Sequence, residues 1–174
     1  LSPQRLALSI ALGVSVWCGP TLGTAAELTV PIVRQAPERC GQAALEMVLR
    51  YYGAEGAALH EGDQAYDPVL RGSLITDLAA AARRAGFAAV VGTRNADSLV
   101  SSLASGVPPI VLYQSGRPPL TRPHFGVVTG WDAVRGTFTI LDGRDSPRVM
   151  SLRELGRRWR PAGSQALMVS RRTP

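Results

Sequence analysis

Cys40 is the only cysteine outside the apolar stretch near the N-terminus. It stands in Gln35-Ala36-Pro37-Glu38-Arg39-Cys40-Gly41, immediately before an amphipathic helical pattern. A helix N-terminus presents unpaired backbone N–H groups and the positive end of the helix dipole. Both stabilise a thiolate, and both can bind the oxyanion formed when that thiolate attacks a carbonyl. Gln35 could add a second oxyanion donor through its side-chain amide. A lone cysteine is also often no more than a small buried side chain, so the rest of the chain has to discriminate between the two readings.

A thiol used for acyl transfer needs a base, and the chain has only two histidines, His60 and His124. His124 follows Pro123 and opens His124-Phe125-Gly126-Val127-Val128-Thr129-Gly130-Trp131, whose β-branched and aromatic content predicts a strand. A turn over 132–136 and a return strand over 137–141 would bring Asp142 back beside His124. There its carboxylate could hydrogen-bond the second imidazole nitrogen and fix the tautomer. Asp132 competes for this role but belongs to the turn. His60 lies among Gly, Ala, Glu and Asp residues and reads as a solvated surface side chain. With Glu61 and Asp63 it lacks the spacing of a closed zinc site, so no metal and no other cofactor are expected.

These residues resemble the papain-like cysteine peptidases of the bacteriocin-processing, double-glycine-leader type, in particular stand-alone exported members without a transporter domain. The resemblance runs from about Val30 to about Trp159. It rests on Val30-Pro31, Gln35, Cys40-Gly41-Gln42-Ala43-Ala44-Leu45-Glu46-Met47-Val48-Leu49, Tyr51-Tyr52-Gly53, the run from His124 to Asp132, and Leu141-Asp142. It implies Cys40 as nucleophile, His124 as general base, Asp142 as its orienter and Gln35 as oxyanion-hole donor. Two positions depart from the pattern of transporter-linked members. Gln35 precedes the cysteine by five residues rather than six, and Arg39 stands where an aspartate is usual, so the oxyanion loop is expected to differ. A further block, Gly72 to Phe87, resembles the exported members.

Composition sets the bounds. A chain of 174 residues, 45% of them hydrophobic, suits one domain with a sizeable core. The net charge of +6 comes from 19 arginines and no lysine against 13 acidic residues. No aromatic residues interleave with a basic stripe, so nucleic acid is not an expected partner. Arginines cluster at Arg153 and Arg157-Arg158-Trp159-Arg160, a solvated helix face or a contact for an anionic membrane surface. Residues 1–26 carry Arg5, an apolar run from Leu6 to Trp17, and small residues at Thr24 and Ala26. This pattern predicts a signal peptide, with a peptidase domain over 27–174 and a periplasmic or secreted location. The apolar run is shorter than the roughly 20 residues of a membrane span. Trp17 before Cys18 argues against lipid attachment at that cysteine. Removal of Cys18 would leave Cys40 as the sole thiol of an exported protein, where an idle thiol is a liability. That favours a working one.

The elements that must position these groups are legible in outline. A lead-in strand is expected over 28–33 and a first helix over 41–52, with Ala44, Met47, Val48 and Tyr51 on one face. A second helix over 74–85 is expected to be capped by Ser73 and ended by Gly86. Then follow a strand over 87–92, a helix over 96–105, a strand over 109–113 and a turn-rich loop from Gln114 to Pro123. The 124–141 hairpin, a helix over 151–159 and a strand over 166–170 complete the chain. Helices first and an antiparallel sheet later predict an α+β domain of papain-like fold, with the cysteine in the helical part and His124 and Asp142 on the sheet. The expected activity is peptide-bond cleavage through a thioester acyl-enzyme, with substrates that could be cut after small residues such as a glycine pair. A cell-wall peptide amidase, an acyl transferase and a non-catalytic peptide-binding module remain open.

Overall fold

Phe125 to Trp131, the run that most strongly predicts a strand, forms the body of the longest one. A computed structural model describes residues 26–172 of the chain; the expected signal segment up to residue 25, with Cys18, lies outside the described residues. In chain order the elements are β1 (Ala26–Glu27), α1 (Cys40–Tyr51), a 3-10 helix (Gly56–Ala65), α2 (Ile75–Arg84), β2 (Ala88–Thr93), α3 (Ala96–Ala104), β3 (Ile110–Arg117), β4 (Leu120–Asp132), β5 (Thr137–Leu141), β6 (Arg148–Ser151), α4 (Leu152–Trp159), a short 3-10 turn (Arg160–Ala162) and β7 (Gln165–Ser170). The strands form one sheet in the order β2-β7-β3-β4-β5-β6, with β1 paired to the far end of β4. Every pairing is antiparallel.

The sheet is buried on both faces because its side chains alternate and both sets are apolar. Ile110, Phe125, Val127, Leu141, Leu167 and Val169 meet α1 and α2 through Leu45, Val48, Leu49 and Leu78. Val111, Tyr113, Val128, Phe138, Ile140 and Met150 meet α3 and α4 through Leu99, Leu103, Leu155 and Trp159. The architecture is thus α+β in three layers. Its helices are divided between the two faces, and the sheet draws on both halves of the chain, since β2 pairs with β7.

Two glycines permit close approaches on which the site depends. A Cβ on Gly41 would lie 3.0 Å from Leu78 Cδ1 and 3.2 Å from both Phe125 Cδ2 and Ser73 Cβ. Glycine here lets the first turn of α1 press against β4 and α2. A Cβ on Gly126 would lie 2.7 Å from Ile140 Cγ2 and 3.2 Å from the Tyr113 ring, so β4 has no room for a side chain two residues beyond His124.

Several expectations need correction. The segment from Gln114 to Pro123 is not an irregular loop: β3 and β4 continue as a hairpin in which Gln114 pairs with Pro123, Ser115 with Arg122 and Gly116 with Thr121. Pro123 is tolerated because β5 reaches only to Val127 on β4, which leaves the other side of the strand unpaired there. Arg158 braces the hairpin by donating to the carbonyls of Gln114 and Gly116 at 3.2 and 3.0 Å. The lead-in strand expected over 28–33 does not form: strand pairing ends with β1 just before it, followed by one hydrogen bond from Leu28 N–H to the Thr129 carbonyl, and Pro31 has no N–H to extend it. The N-cap of α2 is Leu74, and the Ser73 hydroxyl instead accepts a hydrogen bond from the Gln42 amide at 3.0 Å. β6 was not foreseen: only Val149 and Met150 in it signal a strand.

Phe138 is fully buried, with its ring centroid 4.4 Å from that of Trp131. Phe138→Ala is expected to cost about 3–5 kcal/mol in urea unfolding. Val134→Ala, at a side chain 97% exposed, should leave the midpoint unchanged.

Candidate active site

Cys40 is the first residue of α1, and Arg39 is its N-cap without a capping side chain. The thiol is half-buried, and the backbone N–H groups of Phe125, Gly41 and Cys40 itself favour its charged form. Phe125 is the residue next to His124, and a Cβ on Gly41 would lie 3.2 Å from its ring, so the start of α1 and the histidine-bearing strand meet beside the thiol. Burial pushes the thiol above its ordinary range, and the three N–H groups pull the other way.

The loop that delivers Cys40 is clamped. Glu38 has a positive φ of 64°, and its carboxylate takes the Arg71 guanidinium and, at 3.1 Å, the Tyr66 hydroxyl. Arg39, where an aspartate is usual, stacks 4.3 Å over the Tyr66 ring and lies 3.7 Å from Asp63. The cation on an aromatic face gives it an anchoring role in this loop.

His124 lies on β4 opposite Tyr113 on β3. Its Nε2 is 3.1 Å from the backbone carbonyl of Asp142. A carbonyl can only accept, so Nε2 carries the proton and Nδ1 is the free base. The contact differs from the expected one, in which the Asp142 carboxylate holds the imidazole. The carboxylate is engaged elsewhere: Oδ2 accepts from the Tyr113 hydroxyl at 3.4 Å and lies 3.4 Å from Arg144 Nε. Oδ1 is buried without a hydrogen-bond partner. Asp142 is 2% exposed and follows the last rung of the β4–β5 ladder, Val127 with Leu141. Its carbonyl is therefore released from strand pairing and available to the imidazole.

Burial pushes His124 below the ordinary histidine range. The Asp142 carbonyl and carboxylate pull it up, and Arg144 and Arg148 add to the downward push. Both shifts act against ionisation of the pair.

Gln35 reaches the same place from the other side. Its N–H donates to the Gly143 carbonyl at 3.1 Å. A Cβ on Gly143, whose φ is +79°, would lie 2.6 to 2.8 Å from Gln35 Oε1, Cγ and Cβ. The side chain of Gln35 thus rests on the bare α-carbon of the residue after Asp142. The neighbouring pair Arg34 with Asp145 ties the same two segments together. Gln35 Oε1 is buried and unpartnered.

Asp132 sits in the β4–β5 turn, where one carboxylate oxygen accepts from the N–H groups of Val134 and Arg135 and the other from the Arg135 side chain. His60 is a surface side chain, 77% exposed and 3.6 Å from Asp63. Among the described residues no group of three or more His, Cys, Asp or Glu side chains could hold a metal ion.

Tyr113 was missed by sequence reasoning. It is fully buried, packs edge-on to the His124 ring with centroids 5.5 Å apart, and gives its hydroxyl to Asp142. The available signal was one tyrosine in an otherwise aliphatic strand, since a buried phenol needs a partner.

The sequence profile of the Peptidase_C39 like family matches residues 27–167. No curated protein sequence matches the chain. Solved structures of peptidase domains share its fold. A double glycine motif protease from an AMS/PCAT transporter, in complex with the leader peptide, is 21% identical, with 84% of this chain and 94% of that one covered and a TM-score of 0.65. The peptidase domain of ComA from Streptococcus, a bifunctional ABC transporter of a quorum-sensing pathway, is 16% identical, with 82% and 98% covered and a TM-score of 0.63. A C39-like peptidase from Bacillus anthracis is 18% identical, with 87% and 100% covered and a TM-score of 0.68.

Two expectations follow from the geometry. In a His60→Gln protein the remaining imidazole should titrate by NMR with a midpoint below about 6.5, the ordinary value; a midpoint at or above it would contradict the buried neutral histidine. The sign for stability follows: below about pH 6.5 the unfolded chain binds a proton that the folded chain refuses, so stability falls as pH drops toward the folded pKa. In Tyr113→Phe the carboxylate loses a donor and turns more of its charge on the imidazole. The His124 midpoint should rise, with about 1–3 kcal/mol of stability lost.

Proposed function

This chain belongs to the Peptidase_C39 like family and is a cysteine peptidase, and we propose that it cleaves exported peptides or proteins after small residues through Cys40, His124, Asp142 and Gln35. The observation that carries this reading is the junction beside the thiol. Cys40 opens α1, and the first turn of that helix packs on Phe125, the residue beside His124, in a chain with no other cysteine among its described residues.

The proposed chemistry starts from a neutral thiol and a neutral imidazole. Nδ1 of His124 takes the thiol proton as the sulfur bonds to the substrate carbonyl carbon. The resulting imidazolium keeps its Nε2 proton on the Asp142 carbonyl, and the nearby carboxylate favours the positive charge. The tetrahedral oxyanion is received by the Cys40 N–H, free at the first position of α1, and by the Gln35 amide; a donor of this kind is typically worth about 3 kcal/mol. Collapse breaks the C–N bond and His124 protonates the leaving amine. The thioester is then hydrolysed by a water that gives its proton to the same nitrogen, which regenerates the thiol. Deferring ionisation to the moment of attack suits a buried thiol, because the charge develops beside N–H groups that favour it.

A preference for a small residue before the scissile bond is supported by the likeness to a protease named for the double glycine motif and by this chain's own resemblance to that type. Export is supported by the composition of residues 1–26. No helix among the described residues is long and apolar enough to cross a membrane.

The test is a peptide series of about a dozen residues carrying Gly-Gly, Gly-Ala or Leu-Leu at a central position, digested and read by mass spectrometry. Cleavage after the small pairs, lost in Cys40→Ala and reduced about a hundredfold or more in His124→Ala, supports the reading. Equal cleavage of Leu-Leu would overturn the specificity, and undiminished turnover in Cys40→Ala would overturn the mechanism.

A further inference from the structure

Away from the candidate active site, α4 and the segment entering α3 bound a groove of about 870 Å³ whose lining includes Arg94, Arg153, Arg157 and Arg160. Salt bridges occupy many of the chain's other arginines, but none of these four has a carboxylate partner among the described residues, which include every acidic side chain of the sequence. The one acidic residue of α4, Glu154, does not offset them: it is held by Arg148 and Arg158, both at 3.0 Å. Asp97 on α3 is exposed but does not line the groove.

The helix separates its roles by face. Leu155 and Trp159 are buried against the sheet, while Arg153, Arg157 and Arg160 are exposed. Two aliphatic side chains that the core does not use protrude from α4 and from the turn joined to it. Leu152 opens α4 and is 45% exposed; Val134, at the tip of the β4–β5 turn, is 97% exposed. The turn and the helix are joined, because Leu152 N–H donates to the Gly136 carbonyl at 2.9 Å and Gly136 lines the groove. Asp132 in the same turn is neutralised by Arg135.

We propose that this groove and the Val134 turn form a docking surface for an anionic phospholipid bilayer. Guanidinium forks match phosphate oxygens bidentately, and a cationic surface flanked by projecting aliphatics suits a headgroup layer with acyl chains beneath it. The unpaired arginines set the sign of the partner, and the exposed Val134 and Leu152 give the same face the apolar projections that an anionic bilayer accommodates beneath its headgroups. The candidate active site lies elsewhere, at the junction of α1, β4 and the Gln35 and Gly143 segments, so docking would hold a peptidase at a membrane without occupying its site.

The experiment is cosedimentation of the full chain with phosphatidylcholine vesicles and with vesicles containing about 30% phosphatidylglycerol, at about 0.1 M salt. The apolar run over 6–17 acts identically in every variant, so the readout is the ratio between the two compositions. Wild type should favour the anionic vesicles. Arg153→Gln with Arg157→Gln should weaken binding to them roughly tenfold to thirtyfold, and Val134→Asp should weaken it further, with thermal unfolding unchanged in both. Arg50→Gln with Arg172→Gln, the same charge change elsewhere, should have a much smaller effect. Equal binding to both compositions, or an equal loss in the control pair, would overturn the proposal. So would competition by inorganic phosphate or heparin that abolishes binding while Val134→Asp has no effect, since that would mark a general anion site.

Discussion

The contact on which the site depends is the packing of the first turn of α1 against β4 at Gly41 and Phe125. It fixes where the helix N-terminus points, and with it the position of Cys40 relative to the strand that carries His124. Any side chain at residue 41 would meet Leu78, Phe125 and Ser73 together, two of them on neighbouring elements packed in the same core. The glycine after the cysteine is therefore a packing requirement as much as a local one. The burial that makes this packing stable also raises the thiol and lowers the imidazole. The proposed chemistry follows from that cost: a pair kept neutral at rest, with N–H groups in place that favour the charge when it appears.

Asp142 and Gly143 form the second fixed point. Asp142 offers its carbonyl to His124 and its carboxylate to Tyr113 and Arg144, and the next residue supports Gln35. One dipeptide at the end of β5 thus serves the proposed base and the proposed oxyanion donor at once. Because the carboxylate is tied to a buried phenol, it can neither swing to solvent nor displace the carbonyl from the imidazole without losing that bond. This division of labour makes Asp142 a scaffold whose backbone orients the ring and whose charge favours the imidazolium.

Much of this was legible in the sequence, for identifiable reasons. The three-and-four spacing of Ala44, Met47, Val48 and Tyr51 placed α1 to within a residue. The β-branched run after His124, with a return strand ending at Leu141, was enough to bring Asp142 to the histidine. What the sequence did not disclose are features created by pairing partners distant in the chain. The Gln114 to Pro123 segment is full of Pro and Gly and reads as irregular. Its hairpin is nevertheless stable, because β3 and β4 are already in register below it and Arg158, more than forty residues away, caps its carbonyls. Which atom of Asp142 meets the imidazole depends on where the β5 ladder stops. The part played by Tyr113 depends on cross-strand register with His124. Neither is a property of local composition.

The most direct measurement of the account is covalent capture by a peptide chloromethyl ketone ending in glycine, followed by intact mass and peptide mapping at pH 7. The account predicts one adduct, on Cys40, forming about a hundredfold or more slower in His124→Ala. An adduct on another residue, or an equal rate without His124, would contradict the pairing of Cys40 with His124 that the mechanism requires.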